Sequence, residues 1–122
     1  MENAKPTVLQ ENIPTAVQLL PYSRQYVIIA IYEILDKYGA RYEKENSSTV
    51  FSEITVYGNQ SLFCISVDAH DDKTELRVAM VQPCSELSFD GMKRSVTAVT
   101  DSITQYLENE MKKYNSEGDK IL

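Results

Sequence analysis

The chain has 122 residues, 43% of them hydrophobic, and a net charge of −6 from 12 Lys and Arg against 18 Asp and Glu. That length suits one domain, and folding it buries roughly two-thirds of the unfolded surface, so no metal or disulfide staple is required. The acidic balance opposes phosphate backbones and anionic head groups, which argues against nucleic acid and membrane surfaces as partners.

Met1–Pro14 is polar, is broken by Pro6 and Pro14, and lacks the apolar stretch and cleavage site of a secretory signal. Residues 1–14 are therefore expected to be a flexible or partly ordered extension. A strand is expected at Thr15–Leu20, closed by Pro21. Next, Val27, Ile28, Ile31, Ile34, Leu35 and Tyr38 recur at helical spacing. Ser23 suits the N-cap and Gly39 the left-handed stop, which sets a helix at Ser23–Tyr38.

From Ala40 the period changes to two. Ala40–Glu45, Val50–Tyr57, Ser61–Asp68 and Thr74–Gln82 read as strands. Their separators, Asn46-Ser47-Ser48, Gly58-Asn59-Gln60 and His70-Asp71-Asp72, are short and turn-like, so the strands should pair as antiparallel hairpins. A second amphipathic helix runs from about Phe89 to Tyr114, with Met92, Val96, Val99, Ile103, Leu107 and Met111 on one side. It is nearly 40 Å long at about 1.5 Å per residue, and residues 115–122 are expected to fray. The longest apolar run, Val27–Ile31, is far too short to span a membrane.

The expected fold is thus α+β in the order β-α-β-β-β-β-α, one domain over residues 15–114. Strand parity must agree across hairpins, and it does for Tyr42, Val50, Ile54, Val56, Phe63, Ile65, Val67, Leu76, Val78 and Met80. Both helices should cover this face of an antiparallel sheet. The opposite face is mixed, with Glu43, Glu53, Glu75 and Arg77 among Leu62, Cys64, Ala79 and Val81. A two-residue turn at Asn59-Gln60 sets Tyr57 beside Leu62 and Thr55 beside Cys64. Tyr57, Leu62, Cys64, Ala79 and Val81 then form an apolar patch rimmed by charge, the mark of an interface. The competing expectation is that Val8, Leu9 and Ile13 of the N-terminal segment fold back over it.

This order of elements resembles one repeat of the TATA-box-binding-protein fold and is similar, less closely, to the helix-grip fold of plant-allergen and lipid-transfer domains. The likeness covers most of the chain but lies in element order and pattern, with no signature residue matched. DNA-binding members of the first fold use a basic sheet face, whereas Glu43, Glu53 and Glu75 occupy the corresponding face here. A weaker likeness is to small acidic chaperones of bacterial secretion systems, which share size, charge and an α/β sandwich.

Residues that could carry chemistry have plainer readings. His70, the only histidine, lies among Asp68, Asp71 and Asp72, where turn-favouring carboxylates explain the cluster better than a metal. Cys64 and Cys84 are expected about 15 Å apart, too far for a disulfide. The four glycines form no phosphate-cradling pattern, and no triad or paired carboxylate site stands out. The eight tyrosines are scattered, and Tyr38, Tyr42 and Tyr106 should border the core. No enzyme activity, cofactor or metal is therefore expected. The leading expectation is a cytoplasmic interaction module that binds a protein partner or forms a homodimer through its outer sheet face. The alternative is a helix-grip-like carrier of a small apolar ligand.

Overall fold

The computed structural model describes residues 13–121, with side chains as far as Lys113. Its elements follow the expected order. They are β1 (Thr15–Leu20), α1 (Arg24–Tyr38), β2 (Arg41–Asn46), β3 (Thr49–Val56), β4 (Asn59–His70), β5 (Lys73–Gln82) and α2 (Phe89–Ile121). The strands make one antiparallel sheet in the order β1-β5-β4-β3-β2. The first strand therefore pairs with the last, and β2 lies at the far edge.

Capping fixes where α1 begins and ends. Ser23 Oγ accepts from the Tyr26 N–H at 3.4 Å. Gly39 adopts φ 66°, and its N–H donates to Asp36 C=O while Ala40 N–H donates to Leu35 C=O. These bonds occupy carbonyls that a helix end otherwise leaves free. Between its caps α1 crosses the sheet. Thr74 Oγ1 of β5 donates to Tyr22 C=O at 2.7 Å just before the helix, and Arg24 reaches Ser47 and Ser48 in the β2–β3 turn. At α2, Ser88 Oγ accepts from the Gly91 N–H at 3.0 Å, and Asp90 adds negative charge to the first turn. The helix continues to Ile121, past the expected end at Tyr114. Polar residues cost an established helix only tenths of a kcal/mol each, about 1 kcal/mol for Gly, so they do not by themselves end one.

One core lies between the sheet and the two helices. Val27, Ile31 and Leu35 of α1 and Val96, Val99 and Ile103 of α2 meet Ile54, Phe63, Ile65, Leu76, Val78 and Met80. Both helices cover the same face, as parity requires. Tyr42 is the exception among the residues assigned to that face. It points the right way, opposite Ser52, but stays 42% exposed because β2 lies at the edge and all its residues are exposed. Its ring leans on Tyr32, with centroids 5.2 Å apart. Polar groups within the core are partnered. Ser52 Oγ donates to Arg41 C=O at 2.7 Å and Thr100 Oγ1 to Val96 C=O at 2.7 Å.

The β3–β4 turn differs from expectation. It is Tyr57-Gly58, with φ of 52° and 80°, and Val56 pairs with Asn59. Two successive positive φ values match the twist of a tight hairpin. Glu53, not Tyr57, therefore stands beside Leu62, and Phe51, not Thr55, beside Cys64. The shift is even in residue number, so every side chain keeps its face while its neighbours change.

Candidate functional site

The face of the sheet away from the helices is built in rows, because residues paired across an antiparallel ladder project together. One row runs Thr15, Ala79, Cys64, Phe51, Glu43 across all five strands. The next runs Val17, Arg77, Ser66, Thr49, Asn46, and beyond it Leu19, Glu75 and Asp68. On the other side, Leu62 pairs with Glu53, which pairs with Arg41.

Of the five expected patch residues, Leu62, Cys64 and Ala79 come together at the centre of this face, each partly exposed. Tyr57 lies in the turn, 73% exposed, and outside the cluster. Val81 is also displaced. Leu62 pairs with Gln82 and Phe63 with Met80, which leaves Val81 as the extra residue of a bulge, 38% exposed. Two contributions were missed. Phe51 sits beside Cys64 at the centre, and its alternation with buried Val50 and Ser52 was the available signal. Val17 and Leu19 of β1, 50% and 52% exposed, carry the apolar surface to the edge. Their place could not be set without knowing that β1 pairs with β5. Val8 and Leu9, expected to fold back, lie outside the described residues, and Ile13 is partly buried.

Over β2, β3 and β4 this face opens into a cleft of about 540 Å³ lined by Arg41, Tyr42, Glu43, Phe51, Glu53 and Leu62. Its floor is apolar and its rim charged. Burial pushes the Cys64 thiol up from its ordinary range, and the carboxylate of Glu45 raises it further. At the opposite corner Glu75 is held between Arg77 at 2.9 Å and His70 at 3.3 Å.

The remaining chemistry is sparse. Cys64 and Cys84 are free thiols, and the Cys84 N–H donates to Ser61 Oγ at 3.0 Å beyond the end of β5. Among the described residues no three His, Cys, Asp or Glu side chains gather to hold a metal, and no helix is long and apolar enough to cross a membrane. Between α1 and the strands beneath it, lined by Ile28, Ile31, Val50 and Ile65, a half-open recess has about 10 Å³ of space. That is room for one water at most. A second apolar groove, of about 340 Å³, lies between the helices at Tyr26, Ile29 and Met111. No known protein-family model and no curated protein matches the chain.

Proposed function

We propose that this chain is a non-catalytic protein-interaction module that docks a partner through the outer face of its sheet. The observation that carries the reading is the cluster of Phe51, Leu62, Cys64 and Ala79 at the centre of a face that, among the described residues, no helix covers, continued by Val17 and Leu19. A sheet face meant only for water alternates Thr, Lys and Glu, whereas a contiguous apolar cluster with a charged rim favours association. Covering Val17 and Leu19, each half-exposed, contributes about 1 kcal/mol apiece, in addition to the central residues. The occupant is either a different protein or a second copy of this chain. Two free thiols support a reducing compartment such as the cytoplasm, and the acidic rim disfavours nucleic acid.

Leu62→Lys tests the reading, because it puts a charge at the centre of the face while leaving the core untouched. Light scattering gives the mass of each form, and affinity capture from source-cell extract gives their partners. The variant should stay folded and lose the association or the captured protein that the wild type shows. Identical mass and identical partners for both forms would contradict the reading.

A further inference from the structure

We infer that the partner of this face is a basic amphipathic segment of another protein, its apolar side chains covering Phe51, Leu62 and Cys64 and its lysines or arginines meeting Glu43 and Glu53. The inference rests on the reading of the outer face as the docking surface and adds the chemistry of the occupant. The cleft at Phe51 and Leu62 is open and apolar at its floor, with Glu43 and Glu53 on its walls. Among the described residues, the cations that could neutralise these carboxylates are few. Arg77 is engaged by Glu75 at 2.9 Å. Arg41 stands opposite Glu53, a single guanidinium beside the two carboxylates of Glu43 and Glu53. Lys44, the lysine of β2, is turned to the other face, where its ammonium lies 5.2 Å from the centre of the Tyr32 ring.

Charge complementarity therefore selects among occupants. Two copies docked face to face would bring these acidic rims together, on chains that each carry −6, and like charges opposed across an interface disfavour it. A basic segment relieves the repulsion between Glu43 and Glu53 while its apolar side chains cover the floor. The long stems of Lys and Arg suit the geometry, since they lie along apolar surface and deliver the charge at its margin.

The test uses the full chain and two fluorescein-labelled peptides with the same leucines at helical spacing, one carrying lysines elsewhere and the other glutamates. Fluorescence anisotropy should show the lysine peptide binding, more weakly as salt is raised, and the glutamate peptide failing to bind. Glu43→Gln with Glu53→Gln, both exposed and harmless to the fold, should weaken binding about fivefold. Leu62→Lys, checked for folding by thermal melt, should weaken it about tenfold or more. Equal binding of the lysine peptide to wild type and Leu62→Lys would overturn the inference, as attraction to net charge alone. If both peptides bind alike and Leu62→Lys weakens both, the charge preference is refuted while the docking face stands. Binding of neither peptide, or a wild-type dimer broken by Leu62→Lys, also refutes the inference, and in the dimer case the face is kept and the occupant is a second copy.

Discussion

Phe63 and Leu62 are neighbours in β4 that point to opposite faces of the sheet, and substituting each should give opposite results. Phe63 is fully buried beneath the helices, paired with Met80 and Ser52. Phe63→Ala removes most of the ring's buried surface and leaves a cavity that a packed core closes only in part, at a cost of about 3–5 kcal/mol. A domain of this size holds only about 5–15 kcal/mol in total, so the loss is about a fifth of it or more. At roughly 3–5 °C per kcal/mol, the melting temperature should fall by about 10–25 °C. Leu62 is partly exposed on the outer face, with Glu53 across the β3–β4 ladder. A lysine there keeps its stem on the sheet, sends its charge to water and faces a carboxylate, so the change should stay within about 1 kcal/mol. Urea denaturation followed by circular dichroism measures both. If Leu62→Lys destabilised the isolated protein as much as Phe63→Ala, the outer face would be an interior surface and the reasoning would fail.

Other expectations concern the turns and the central thiol. Tyr57 holds φ 52° while 73% exposed, a conformation that asparagine tolerates better, so Tyr57→Asn should raise stability by about 0.5–1 kcal/mol; an unchanged or lower urea midpoint would count against the turn described here. Gly39→Ala meets no atom within 4 Å but must adopt φ 66°, so its cost should be conformational, about 1–2 kcal/mol, seen as a lower melting temperature. Burial, then Glu45, raises the Cys64 thiol, so at a given alkaline pH less thiolate forms than in the unfolded chain. Iodoacetamide should label Cys64 more slowly in the native protein than in urea, and Glu45→Gln should speed the native reaction; equal rates in all three would argue against this surrounding. The raised thiol also means that the folded form holds its proton more tightly, so this group's stabilising share is full below the unfolded pKa and lost as pH climbs through and above it.

The architecture was legible because two periods and three short turns constrain one another. Val50, Ile54, Phe63, Ile65, Leu76 and Val78 share a face only if the hairpins close with consistent parity, and Ser23 and Gly39 fix the ends of α1 by capping chemistry. The register across β3–β4 was not legible. Tyr57 at positive φ is costly enough to point instead to Asn59-Gln60 as the turn, and only packing across the whole sheet outweighs that local preference. The outer face suffered accordingly. Leu62, Cys64 and Ala79 keep their places because the error was even, while Tyr57 drops out, Val81 is displaced by a bulge and Phe51 moves to the centre. The edge strands show the same limit. Nothing local to Val17 or Leu19 says that β1 lies beside β5, a pairing between segments far apart in the chain.

Cys64 lies in the middle of the proposed docking face, whereas Cys84 lies beyond β5 against Ser61, so the two thiols make a site probe and an internal reference. The most direct measurement is the ratio of their alkylation rates by mass spectrometry, for the full chain alone and in source-cell extract. Occupation of the outer face predicts that Cys64 becomes protected relative to Cys84 in extract, and that Leu62→Lys removes the protection. A ratio that is the same in buffer and in extract, for wild type and variant alike, would contradict the account.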